Sequence, residues 1–182
     1  MTVRRMLGRA LAIAALLALP SEAALDYLLK PRKLAPDTYA FVGLAEDFTR
    51  ANGGNIVNTG FIVTDEGVVV IDTGPSRLYG EQMRRAIAGV TAKPIRMVLI
   101  THHHPDHFFG NQSFADAPIA ALPEAIVGMK REGAAFADNL YRMAGDWMAG
   151  TEPAAATREA KPGRLRIGSH DIELIELKGH TP

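Results

Sequence analysis

The chain has 182 residues, 47% of them hydrophobic and 22% charged, with 20 basic and 20 acidic side chains that cancel. That balance suits one globular domain with a buried core and gives no overall attraction to nucleic acid or to acidic membranes. Cysteine is absent, which excludes disulfides, a thiolate nucleophile and thiolate metal ligands.

Residues 1–23 read as a secretory signal peptide. Arg4, Arg5 and Arg9 form a positive start, Leu11 to Leu19 is an unbroken apolar run, and Pro20 ends it before Ser21-Glu22-Ala23, a small-x-small cleavage pattern. The run is too short to span a bilayer. The alternatives are an uncleaved N-terminal anchor and, through Arg4-Arg5, a twin-arginine export signal. The expectation is a periplasmic protein beginning near Ala24, slightly acidic, and without stable membrane insertion once cleaved.

Residues 24–37, with Pro31 and Pro36, read as an irregular lead-in, and residues 38–182 as the folded domain. Thr38 to Leu44 is an expected strand. Asn52-Gly53-Gly54-Asn55 is a turn signal. Ile56 to Thr64 and Val68 to Ile71 flank Asp65-Glu66-Gly67 and form an expected hairpin. Val68-Val69-Val70-Ile71 is apolar on both faces, the pattern of a covered central strand. It exits through Asp72-Thr73-Gly74-Pro75, and Ser76 is a suitable N-cap for a helix through Ala88. Arg96 to Ile100 is a further buried strand, and Pro118 to Ala121 a short one.

Pro123 opens a long helix whose apolar positions Ile126, Met129, Gly133, Phe136, Leu140, Met143 and Trp147 alternate in threes and fours. That face packs a core, or leaves Phe136, Trp147 or Met148 at the rim of a groove. Thr151 to Lys161 reads as a linker. Arg164 to Ile167 and Ile172 to Leu177 form a second expected hairpin. The order of elements is α/β with mixed strands and no internal repeats.

Four of the six histidines lie within His102-His103-His104-Pro105-Asp106-His107. His102 and His104 are two apart, so extended backbone points both the same way and one metal ion can take both imidazoles. His103 points oppositely, as a surface residue or a support behind the site. Asp106 and His107 follow a proline turn, and a carboxylate beside an imidazole suits a second metal ion or orients a bound water. The cluster follows the strand end Met97-Val98-Leu99-Ile100, where ligands collect in open α/β sheets. A solvated His-rich loop is the bland alternative.

Thr101 to His107 resembles the signature of the metallo-β-lactamase superfamily. Val69 to Gly74 resembles the family strand that supplies a buried aspartate, here Asp72, although a turn-forming aspartate would look the same. Asn58 to Val63 resembles the preceding strand, and Gly179-His180-Thr181-Pro182 the loop that gives a third histidine. Within the superfamily, Glu46 to Asn55 and His104 to Asn111 resemble the exported zinc metallohydrolases of quinoprotein dehydrogenase systems, related to SoxH-like proteins.

The resemblance implies an αββα sandwich with a mixed sheet and helices outside. It implies one or two zinc ions, the first held by His102, His104 and His180, the second begun by Asp106 and His107. Asp106 would be the catalytic carboxylate, and Asp72 would steady the ligands by hydrogen bonding. The implied chemistry is attack by metal-bound hydroxide on an ester, thioester or lactam carbonyl of a small-molecule substrate. The family pattern continues past Pro182, so the resemblance also implies that the C-terminal half, with the rest of the second metal site, is missing. Two other readings stay open: a mononuclear-iron oxygenase of the persulfide-dioxygenase kind, and a non-catalytic metal-binding remnant or accessory of a quinoprotein system.

Overall fold

A computed structural model describes residues 24–181; the expected signal peptide, residues 1–23, lies outside them. Seven strands form one mixed sheet in sequence order: β1 (Arg32–Ala35), β2 (Thr38–Phe41), β3 (Thr59–Thr64), β4 (Gly67–Ile71), β5 (Ile95–Leu99), β6 (Ile119–Ala121) and β7 (Arg158–Glu159). β1 to β4 pair antiparallel, and β4 to β7 pair parallel. The hairpin β3–β4 turns at Asp65-Glu66, with Thr64 Oγ1 donating to Gly67 O at 2.8 Å. Val68, Val69 and Val70 are fully buried, as a strand covered on both faces requires.

The crossovers place helices on one face. Helix α1 (Arg77–Ala88) begins at Ser76, whose hydroxyl accepts from Tyr79 N. Its Tyr79, Met83 and Ile87 enter the larger core with Val68, Val70 and Phe61. Helix α2 (Pro105–Phe108) is a single turn, and helix α3 (Pro123–Ala144) lays Met129 and Leu140 into the same core. On the opposite face, β8 (Gly163–Ile167) and β9 (His170–Leu174) form a two-stranded antiparallel sheet. Ile167 packs with Val69, Leu99 and Ala120 there, flanked by Leu165, Ile172 and Leu174. The layers are thus helices, mixed sheet and hairpin, an α/β class with a mixed sheet as expected.

The structure corrects several sequence expectations. The lead-in is not wholly irregular, because β1 pairs along β2 as an edge strand. All four of its residues are exposed, so no alternation of burial marked it. The segment read as a linker carries β7, a two-residue parallel pairing with β6 made by backbone alone. The long helix stops at Ala144, where Gly145 adopts φ 61°, and Trp147 falls in a 3₁₀ turn beyond it. The last strand ends at Leu174, leaving Ile175 and Leu177 exposed. Phe136, Trp147 and Met148 pack on the core and do not rim a groove.

Candidate metal centre

The parallel pairing of β4 and β5 brings the ends of both strands together, and Asp72 N donates to Leu99 O at 2.9 Å. Asp72 then takes φ 56°, a left-handed conformation uncommon outside glycine. That kink turns its carboxylate, buried at 2% exposure, beneath the loop that leaves β5. Asp72 Oδ1 accepts from Thr101 N at 2.8 Å, and Oδ2 accepts from Thr101 Oγ1 at 2.9 Å. His107 Nδ1 lies 2.8 Å from the same Oδ2. An ionised carboxylate only accepts, so His107 carries a proton on Nδ1, and its neutral form presents Nε2 as a lone pair.

Thr101 fixes a second tautomer. Its hydroxyl proton goes to Asp72, so it accepts from His102 Nδ1, 3.0 Å away. His102 Nε2 is then an unprotonated nitrogen, buried and without any hydrogen-bond partner. A buried lone pair with no donor facing it costs free energy unless something electrophilic meets it. Sequence reading included Thr101 in the signature but gave no role to its hydroxyl, which directly precedes the His-x-His pair.

His104 caps α2 with φ −67° and ψ 141°, and Pro105 occupies the first helical position, where its missing N–H costs nothing. Phe108 and Phe109, both fully buried, pin the turn from below. Thr73 N donates to His107 O, and Thr73 Oγ1 to Asn111 Oδ1 at 2.9 Å. A Cβ on Gly110 would run into Thr73 O, so only glycine lets the two loops interlock. The segment Phe108 to Asn111 therefore has a structural role at this joint.

Among the described residues, His102, His104 and His180 form a three-member group, with one ring nitrogen from each within 4.8 Å of the others. The rings of His102 and His104 stand 4.7 Å apart, and both stand 4.8 Å from His180. Interplanar angles of 76° to 81° keep them near orthogonal, as three ligands around one ion would be. Tetrahedral zinc at about 2.0–2.1 Å from each nitrogen needs donors about 3.4 Å apart, a small inward closure. The residues fit such an ion. The histidine of the far loop is brought here from 76 positions beyond His104. Asp106 and His107 flank this group: the His107 ring is 4.0 Å from His102, and His107 Nε2 is 3.6 Å from Asp106 Oδ2. His103 faces away and is buried against α3.

Burial and then the neighbouring imidazoles push His102 down to about 3, so the ring is neutral near pH 7. Burial and His180 also lower His104, against the pull of Asp106. Burial lowers His107 too, but the hydrogen bond and charge of Asp72, helped by Asp106, outweigh it and leave His107 raised. A cavity of about 580 Å³ opens beside the cluster, walled by His102 and His180 at one end and by Leu99, Ile172 and Leu174 along its length. That size suits a small-molecule ligand.

Residues 52–181 match the family model described as the metallo-β-lactamase superfamily. A hydroxyacylglutathione hydrolase of Cereibacter sphaeroides is 34% identical over 87 residues, 48% of this chain and 26% of that protein. A linear primary-alkylsulfatase of a Pseudomonas species is 34% identical over 53 residues, 29% of this chain and 10% of that one. A metallo-β-lactamase from Cronobacter sakazakii, described by a HARLDQ motif, is similar in fold: TM-score 0.59 and 21% identity, covering 85% of this chain and 57% of that structure. The chain thus spans little more than half of that structure and a smaller share of the two curated relatives.

Proposed function

The chain belongs to the metallo-β-lactamase superfamily, and from that premise we propose a zinc-dependent hydrolase acting on an ester, thioester or lactam carbonyl of a small molecule. The observation that carries the reading is His102 Nε2, a buried lone pair without a partner, set among three near-orthogonal imidazoles. Zinc held by His102, His104 and His180 would supply Lewis acidity and a water of lowered pKa. The protein's own groups would do the rest. Asp106, 3.6 Å from His107 Nε2, would take the proton of an attacking water and return it to the leaving group. Asp106 and His107 would also begin a second metal position. Asp72 would hold Thr101 and His107 in the tautomers and directions described. The apolar cavity would take the non-reacting part of the substrate. The similar curated proteins, a hydroxyacylglutathione hydrolase and an alkylsulfatase, support hydrolysis as the reaction class.

The three-member group is all imidazole, a donor set that suits zinc. We propose further that the protein is exported and serves a quinoprotein dehydrogenase system, a reading supported by the composition of residues 1–23 and by the Glu46–Asn55 and His104–Asn111 segments. Cell fractionation checks the first half of that proposal.

Metal analysis and a panel of esters, thioesters and lactams test the hydrolase. His102→Ala is expected to lose both metal and turnover. Asp106→Ala is expected to keep metal at the three-histidine group and lose about 100-fold or more in kcat. Undiminished turnover in both variants would sink the reading. Stoichiometric iron would move it to the oxygenase, and bound zinc with no turnover to a non-catalytic metal-binding protein.

A further inference from the structure

His103 lies between two residues of the three-histidine group, yet its side chain is 7% exposed and faces away from them, into helix α3. The helix receives it at Gly128. A Cβ built there would stand 2.5 Å from His103 Cγ and 2.8 Å from both Cδ2 and Nδ1. Real Cβ atoms do not come so close to a neighbour, so any side chain at 128 would displace the imidazole. A glycine inside a helix is destabilising relative to alanine. Here that cost admits a ring. One turn further along α3, Glu132 Oε2 stands 3.6 Å from His103 Nε2 and is itself held by Arg131.

The contact does little for stability as a polar interaction. His103 Nδ1 is buried without a hydrogen-bond partner, and such an atom is unfavourable. What the contact does provide is a fixed point. α3 is a 22-residue helix with Met129 and Leu140 in the main core, so it is rigid relative to the sheet. His102 is held on one side by Thr101 and Asp72, and His104 on the other by the start of α2. The backbone bends at His103, between them, and belongs there to no strand or helix that would fix it. Seating the His103 ring on Gly128 fixes that middle residue, and with it the spacing of the rings at 102 and 104.

We propose that His103, seated on Gly128 with Glu132 beside its Nε2, is a positioning residue through which α3 sets the geometry of the three-histidine metal site. The proposal rests on the reading of that group as a metal site. It predicts that the helix face at Gly128 controls metal affinity without touching metal.

The test is a titration of the full chain with cobalt(II), followed by its visible absorption, and with zinc in competition with a chelator. Gly128→Ala is expected to weaken metal binding about tenfold or more and to change the cobalt spectrum, while far-UV circular dichroism stays unchanged. His103→Ala, which leaves the loop unseated, is expected to weaken binding at least fivefold. Glu132→Gln, which changes no volume, is expected to do so two- to fivefold. In a His103→Ala background, Gly128→Ala should cost nothing more, because the ring it would displace is gone. Wild-type affinity in folded His103→Ala and Glu132→Gln would overturn the proposal, as would an undiminished effect of Gly128→Ala in the His103→Ala background. Should Gly128→Ala fail to fold, the other two variants decide. A wild-type chain that binds no metal would instead defeat the reading of the site itself.

Discussion

At the scale of single residues, the site is a problem of protons before it is a problem of metal. Asp72 and Thr101 together dictate which nitrogens of His102 and His107 are bare. His102, pushed down to about 3 by burial and by the surrounding imidazoles, enters the fold neutral. An unfolded histidine takes a proton near pH 6.5. Between those values the unfolded chain binds a proton that the folded one refuses, so stability of the metal-free protein rises with pH across that window. His107, raised, acts in the opposite sense: its contribution is full below pH 6.5 and fades as pH climbs past its folded value. Denaturant unfolding of metal-free wild type and His102→Gln from pH 4.5 to 6.5 isolates the first effect. The wild type should gain up to about 1.4 kcal/mol per pH unit relative to the variant. Parallel curves would show that the neutral ring is not what the fold demands.

At the scale of elements, what the sequence disclosed depended on whether a pattern was local. Ser76 was readable as a cap because capping needs only a hydroxyl before a helix, and its oxygen accepts from Tyr79 N at 3.1 Å. The same oxygen lies 2.9 Å from Tyr27 Oη, a contact between distant segments that no local pattern announces. Ser76→Ala is therefore expected to cost about 1–2 kcal/mol in chemical denaturation, the upper end for a cap, with near-UV dichroism reporting the loosened Tyr27. A cost below about 0.5 kcal/mol would show that the hydroxyl contributes only through solvent-replaceable contacts. β1 and β7 were not readable, being short, exposed and held by backbone pairing that any side chain permits. The His-x-His pair was legible from its spacing alone. His180 was not: only the family likeness connected it, since its approach depends on the second sheet folding across the first. The seat of His103 on Gly128 was likewise invisible, because a helical glycine in sequence names no partner.

At the scale of the whole molecule, metal is expected to tie the layers together, because His180 follows the hairpin sheet while His102 and His104 follow the mixed one. An ion binding only the folded form at about a thousand times its Kd stabilises by about 4 kcal/mol. For a domain of this size that corresponds to roughly 8–16 °C in Tm. Chelation should lower the calorimetric Tm by that order, and zinc should restore it; a Tm indifferent to chelator would mean that the three imidazoles close on nothing.

The direction of the sheet has a practical bearing. β4 and β5 run parallel, so the Asp72 and Thr101 loops both leave at the same edge. The opposite edge carries the Asp65-Glu66 turn and the exposed link from α1 into β5 around Ala92. Lys93 is occupied there, donating to Thr64 O, but Ala92 is open to solvent. A surface anchor or reporter dye attached through a cysteine placed at Ala92 would hold the protein by its back. It would be the chain's one thiol, giving single-point labelling with the imidazoles turned outward.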